Sequence, residues 1–382
     1  MIGNILAEQG DFEQALKTYK EALANALDIG DKATQCFALT NMAHVHLDRG
    51  DIEGAKPLYI QALGIQRDIE DKRNVGSTLS NLGHLLYEAG DYSEAHKTLD
   101  ESLSIARELG NRRSEAYVLG FLGELLYAEG RLDESKASSE QSLSIARAIG
   151  HKRVVESSLA GVGSVLLAEG DFDGAQRAED EAIKIGNELG EKGSAAQYRM
   201  ALAEISLEKG LPTEAEALIT EPIQEFIHEQ SLGKQAVAQA LLARSLLEQH
   251  KLAKAQSAVA SAEAAAKTSQ SHLVKFDVGL TSSLVAAAAG QSSTAEKELR
   301  AIISKAKTIG YVPCEFRARL ALIEIETNSG GSTTGLKDLD HLRQEALAKK
   351  FTLIARKADQ VAERAKQKQS TLSSRIELCP AA

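Results

Sequence analysis

The chain has no tryptophan, five prolines and three cysteines in 382 residues, and only 4% of it is aromatic. Few prolines leave helices uninterrupted, and few large rings leave a core of small interlocking side chains, so an all-helical chain is expected. Cys36, Cys314 and Cys379 stand alone, with no CxxC pair, which argues against a disulfide framework or a zinc site and fits a reducing, cytoplasmic location. No stretch reaches the roughly eighteen uninterrupted apolar residues of a membrane span, and no basic segment followed by a hydrophobic run opens the chain. Neither membrane association nor export is expected. Excess positive charge is missing as well: the net charge of -10 disfavours nucleic acid, whose phosphates call for clustered Lys and Arg. The one basic stretch, 331–382, carries ten Lys and Arg against six Asp and Glu and reads as a solvated terminal helix.

What is present is a period. Gly10, Gly50, Gly90, Gly130, Gly170 and Gly210 stand at intervals of forty residues, Gly290 and Gly330 continue the series, and His250 fills its gap. A fixed period of that length marks a stack of one supersecondary unit. In 76–112, Leu79, Leu82 and Leu86, then Leu99, Leu103 and Leu109, fall at helical spacings in two runs separated by Gly90-Asp91. That is a helical hairpin. Gly90 can end the first helix in the left-handed conformation, Asp91 can cap the second, and Glu94 is placed to complete a capping box. Small residues recur before the turn (Gly3, Ala43, Gly83, Gly123, Gly163, Ala203, Ala243) and after it (Ala15, Ala55, Ala95, Ser135, Ala175, Ala215, Ala255, Ala295), where the two helices cross. These are packing positions.

Leu82, Gly83, Leu86, Gly90, Asp91, Tyr92, Ala95 and Leu99 carry a pattern that resembles the tetratricopeptide repeat (TPR), in a forty-residue form similar to kinesin light chains, spindle-orientation adaptors and bacterial regulators. The resemblance implies an all-α solenoid of about nine antiparallel helical hairpins in a right-handed superhelix. It is strong over 1–210, a regular array whose first repeat is truncated. Over 211–330 it thins: Pro212 and Pro222 enter, Gln230 and Gln270 replace inter-repeat glycines, and Ala-rich stretches lower the apolar area each repeat can bury, so local opening is expected there first. Residues 331–368 read as a last hairpin and capping helix behind a flexible loop at 328–335, and 369–382 as a disordered tail. Residues 1–9 align with 41–49, so the array starts inside a repeat, and further chain upstream is expected.

In TPR arrays the first helices line a concave groove that receives a peptide. The matching ladder here runs Asn4, His44, His84, Glu124, Ser164, Glu204, Arg244, and one turn earlier Asn41, Asn81 and Phe121. Asn41 and Asn81 match the asparagine that in relatives bonds the backbone of an extended peptide, a role suited to an amide that both donates and accepts. The alternative for both is a solvated amide or one bonded to its neighbour helix. Tyr87 and Tyr127 could add an aromatic patch, although half-buried packing accounts for them as well. A metal held by His44 and His84 would need further convergent ligands. The basic clamp of chaperone-binding relatives is replaced by Asn, His, Ser and Glu, and Glu124, Glu204 and Glu208 would favour a neutral or basic partner.

GVGSVL at 161–166 lacks a third glycine and falls inside a helix, and GxxxxGK[ST], HExxH and GxSxG motifs are absent. No catalytic, metal or cofactor site is expected. The reading is a non-catalytic scaffold that binds a peptide or partner helix in its concave groove. The alternative is the C-terminal sensory or regulatory region of a larger bacterial signalling protein, a kinase, cyclase or transcription regulator. Self-association through the Ala-rich half is a further possibility, since a stack has open ends.

Overall fold

The computed structural model describes residues 2–8, 10–190, 192–328 and 332–377. Their regular structure consists of helices arranged as successive hairpins: α1 (Ile2–Glu8) with α2 (Phe12–Ile29), α3 (Lys32–Asp48) with α4 (Ile52–Asp68), α5 (Lys72–Ala89) with α6 (Tyr92–Glu108), α7 (Arg112–Ala128) with α8 (Leu132–Ala148), and α9 (Lys152–Glu169) with α10 (Phe172–Leu189). The series continues with α11 (Lys192–Glu208) and α12 (Pro212–His228), α13 (Leu232–Glu248) and α14 (Leu252–Ala266), α15 (His272–Ala288) and α16 (Ser292–Ile309), and α17 (Val312–Asn328) and α18 (Ser332–Ala348), closed by α19 (Thr352–Glu377). The result is the all-α repeat solenoid expected from the period.

The turns work as the sequence implies. At Gly90, φ is 83°, its N–H bonds the Tyr87 carbonyl, and the Asp91 N–H reaches back to Leu86 O at 2.9 Å. Asp91 Oδ1 then accepts from the Glu94 N–H at 3.4 Å and starts α6. The capping box is not completed, because the Glu94 carboxylate turns to Lys97 Nζ at 2.6 Å while the Asp91 N–H is already used by the helix stop. Where the glycine series fails the backbone conformation persists at Glu70, Gln230, His250 and Lys350, which hold φ of 55°, 53°, 60° and 64°, but not at Gln270.

The crossing positions are sealed. Ala15, Ala55, Ala95, Ala175, Ala215, Ala255 and Ala295 are 0% exposed. A Cβ on Gly83 would stand 2.6 Å from the Leu99 side chain. The largest apolar cluster runs from Ala43 to Tyr198, whereas the Ala-rich region holds smaller ones, such as Ala236, Ala240, Ala262, Ala265, Val274 and Val278. α19 extends to Glu377, past the end of order expected at 368; residues 378–382 lie outside the described ones. Of the loop expected at 328–335, α17 ends at Asn328 and α18 begins at Ser332, and 329–331 lie outside the described residues.

The superhelix closes on itself. Gln270 N–H bonds Gly50 O at 3.0 Å and its Oε1 accepts from the Glu53 N–H at 2.8 Å. Ser271 Oγ donates to the Glu88 carboxylate, and Lys350 Nζ meets Asp133 Oδ1 at 2.6 Å. The bridges from Glu88 to Ser271 and from Glu53 to Gln270 span 183 and 217 residues, centred on five repeats of forty, so a superhelical turn takes about five repeats and consecutive turns touch. His272, 3% exposed, is the centre of this seam. Its Nδ1 lies 2.8 Å from Glu88 O and its Nε2 3.0 Å from Tyr92 OH. A carbonyl can only accept, so Nδ1 carries the proton and Nε2 accepts from the tyrosine. Burial lowers the His272 pKa and keeps the ring neutral.

Candidate functional site

The seam brings odd-numbered helices of the two turns together, α5 with α15, α7 with α17 and α9 with α19. Between them lies a chamber of about 1100 Å³ walled by odd-numbered helices from α7 to α19. Its apolar surface comes from Leu207, Leu280, Leu284, Leu320 and Ile354, and its polar surface from linked charges. Arg244 spans Glu204 Oε1 at 3.3 Å and Glu208 Oε1 at 3.0 Å, and Lys357 Nζ pairs with the second Glu208 oxygen. Arg317 Nη1 meets Asp277 Oδ1 at 2.9 Å. Burial works to raise the Glu208 pKa, but the Lys357 and Arg244 charges outweigh it and hold the carboxyl below its usual range.

The ladder positions inferred from sequence divide into two places. Tyr127, Ser164, Glu204 and Arg244 line the chamber. Ser164 is exposed there, its hydroxyl donating only to Ala160 O at 3.0 Å. The earlier members form a different neighbourhood. Asn41 Nδ2 donates to Phe37 O at 2.7 Å, and Asn81 Nδ2 donates to His44 Nε2 at 2.9 Å. The His44 pKa is lowered by burial, consistent with its acceptor role. His84 packs on Phe121 with centroids 4.7 Å apart and stands 3.9 Å from the Glu124 carboxylate. Tyr87 stacks on Tyr92 at 5.8 Å and packs against the seam, the packing role that competed with an aromatic groove patch. Asn81 and Phe121 also border a separate pocket of about 430 Å³ with Arg73, Arg113 and Tyr117.

A family model described as the MalT-like TPR region matches residues 1–147 and 76–325. The chain belongs to the MalT-like TPR region family. Among solved structures, this MalT-like TPR chain is similar to a Rap protein complexed with Competence and Sporulation Factor, at 12% identity and a TM-score of 0.57, over 97% of this chain and 96% of that one. Aspartyl phosphate phosphatase F from Bacillus subtilis is similar at 11% identity and a TM-score of 0.56, over 90% of this chain and 91% of that one. The apo form of RapI is similar at 15% identity and 0.54, over 69% and 95% respectively. Such identities show a common fold. No curated protein sequence matches. No helix among the described residues is long and apolar enough to cross a membrane.

The ladder reading of this MalT-like TPR array missed Asp277, Arg317 and Lys357. Asp277 and Arg317 stand forty residues apart and one turn ahead of the asparagine ladder, so extending the same ruler by four positions would have found them. Lys357 stands forty residues further on in the same register, but its pairing with Glu208 could not be read that way, because it joins α19 to α11 across the chamber. A further omission is Glu179, 2% exposed. At its register position the other second helices bury Tyr19, Tyr59, Leu99, Ser139, Ile219, Val259, Leu299 and Leu339. A lone carboxylate in that series is a signal the sequence carries openly.

Proposed function

We propose that the protein is a non-catalytic interaction scaffold that takes a peptide or a partner's helix into the chamber between its superhelical turns. The observation that carries this is the chamber itself: a concave space of about 1100 Å³ mixing apolar wall with fixed charges, which suits an extended chain of several residues. More carboxylates than cations line it, so a neutral or basic segment is favoured. One of the structurally similar proteins, a Rap protein, forms a complex with Competence and Sporulation Factor, which supports binding as the use of this fold. The asparagine ladder at Asn41 and Asn81 belongs to the same reading, as an outer clamp for the part of a peptide that extends beyond the chamber. Self-association through the Ala-rich half is a subsidiary part of it, which a monomer by light scattering at high concentration removes.

The test is selection of a displayed random peptide library on the wild-type protein and on Ser164→Trp. The indole would project into the chamber from an exposed position, so no buried contact is lost. Peptides enriched on the wild type and not on a folded Ser164→Trp support the chamber. Equal enrichment on both rejects it. The family's description as a TPR region favours a second reading, a regulatory segment of a larger signalling protein. The coding sequence ahead of Met1 decides it: an in-frame stop with a ribosome-binding site sinks this reading.

A further inference from the structure

Glu179 opens a more specific question than the chamber does. It projects from α10 over Gly163 of α9, where a Cβ on the glycine would stand 2.5 Å from Oε1, and it occupies the space that Leu99 fills over Gly83. Oε2 is sealed from solvent and meets no hydrogen-bond partner. A buried carboxyl oxygen left idle is costly, and a core position that takes Tyr, Leu, Ile or Val in most other repeats gives no packing reason for it. Beside it is a pocket of about 180 Å³ whose wall includes Glu179, Tyr198, Met200 and Leu241. The pocket shares Ser164, Glu204 and Arg244 with the main chamber, so a chain lying in the chamber can send a side chain into it.

We propose that Glu179 is the anchor of this side pocket and takes the cationic end of a bound chain, the ammonium or guanidinium of a long basic side chain. The proposal rests on the chamber being the binding site. The shaft suits such a side chain: Met200, Val237 and Leu241 offer apolar wall to the methylenes while the carboxyl awaits the charge. The other charged groups at the pocket do not compete, since Arg244 is held by Glu204 and Glu208, and Arg317 by Asp277. The small rotamer changes that accompany ligand binding are enough to bring Oε2 into contact. Burial, helped by neighbouring Asp180, raises the Glu179 pKa to about 8, so the empty pocket holds a neutral acid. An arriving cation binds the ionised form, and the proton leaves to solvent. Around Glu179 the titratable and charged groups are Asp180 on its own helix, Tyr198 and Glu204 on α11, Arg244 on α13, Asp277 on α15 and Arg317 on α17.

Dansylcadaverine, whose five-carbon tether ends in a primary ammonium, is the probe, with neutral N-pentyl dansylamide as its control. At pH 8.5 the ammonium compound should bind the full chain about tenfold more tightly than the neutral one, as a charge-assisted hydrogen bond implies. That preference should shrink by up to about tenfold per pH unit below 8. It should vanish in Glu179→Gln, and in Glu179→Leu, which restores the residue type of the other repeats and safeguards folding. Ser164→Trp should weaken both compounds. Equal affinities on the wild type, or a preference that survives both Glu179 variants, overturns the anchor and leaves the chamber standing. Binding of neither compound removes the chamber and the anchor together.

Discussion

Replacing Glu179 by leucine should stabilise the protein, and by an amount that depends on pH. In the unfolded chain the carboxyl ionises near its ordinary value of 4.5, whereas in the folded protein it holds its proton up to about pH 8. Between those values the native state carries a proton that the unfolded state has released, so stability falls as pH rises through the window and is level above it. The loss between pH 5 and pH 8 comes to about 3.5 kcal/mol at one pKa unit per 1.36 kcal/mol. Leucine has no such dependence and also removes the idle oxygen, roughly another 1 kcal/mol at any pH. Glu179→Leu should therefore exceed the wild type by about 2 kcal/mol at pH 5 and about 5 kcal/mol at pH 8. Urea unfolding followed by helix content at each pH measures this. Hydrogen exchange across α9, α10 and α11 gives the local version, since a solenoid repeat is coupled chiefly to its neighbours. A variant no more stable than the wild type at pH 8, or a difference flat in pH, would refute the account of Glu179 as a buried, unpaired acid. A stabilised variant that no longer prefers the cationic probe would place this residue among those kept for function at a cost in stability.

Four other outcomes follow from the packing. Glu70→Gly and His250→Gly relieve exposed residues held at φ of 55° and 60°, and each should raise stability by about 0.5–1 kcal/mol in urea titrations, additively because the sites are far apart. Gly83→Leu drives a side chain into Leu99 and should cost about 3 kcal/mol or more, seen as a lowered melting temperature, whereas the same change at Gly64, whose Cβ would meet nothing within 4 Å, should not. His272→Phe keeps a ring in the seam but strands Glu88 O and Tyr92 OH. It should speed hydrogen exchange at 85–92 and enlarge the radius of gyration in X-ray scattering, and an unchanged profile would show that the seam does not depend on these bonds. Asn41→Ala with Asn81→Ala should weaken peptides long enough to run from the chamber to α3 and α5 by about tenfold and leave short ones unaffected; equal binding of both classes rejects the clamp.

The hairpins were legible because their determinants are local. Gly90 and Asp91 fix a turn from two adjacent residues, and Ala95 declares a helix crossing by its size alone. The site was legible only where it follows the same register. Ser164 and Glu204 were reached by counting back from their glycines and Arg244 from His250 in the same series, and that count led to residues on the wall of the chamber. It also placed Asn41, His44 and His84 on the same ladder, but the ladder curves with the superhelix, and its early members face their own neighbours instead of the chamber. Lys357 shows the limit most clearly. Its partner Glu208 lies on a helix four hairpins earlier, and the pairing exists only because the curvature of those hairpins brings α19 to face α11 across the chamber. A quantity set by the small rotation of each repeat, summed over several, cannot be read from any one of them.

That summed rotation gives the apparent decay of the second half a different meaning. Because the C-terminal ends of odd-numbered helices in the first superhelical turn meet the N-terminal ends of odd-numbered helices five repeats on, within-hairpin turns of the first turn face between-hairpin turns of the second. The first partner is a glycine and the second presents side chains. A Cβ on Gly50 would lie 3.4 Å from Ser269 Oγ, and one on Gly90 would lie 3.0 Å from the Ile309 side chain, whereas Gly30, Gly110 and Gly150 meet nothing within 4 Å. At Gly50 and Gly90 the absent Cβ thus has two uses, the left-handed helix stop and the seat for the next turn. The residues that break the glycine series on the other side are the ones that reach across: Gln270 to Gly50 and Glu53, Lys350 to Asp133, and Gln230, whose Cγ lies 3.9 Å from the Cβ position of Gly10. Ser271 and His272, in the same departure from the repeat, hold Glu88 and Tyr92. Loss of consensus at these positions is the stitching of one turn to the next, and without it the chamber would have no second wall.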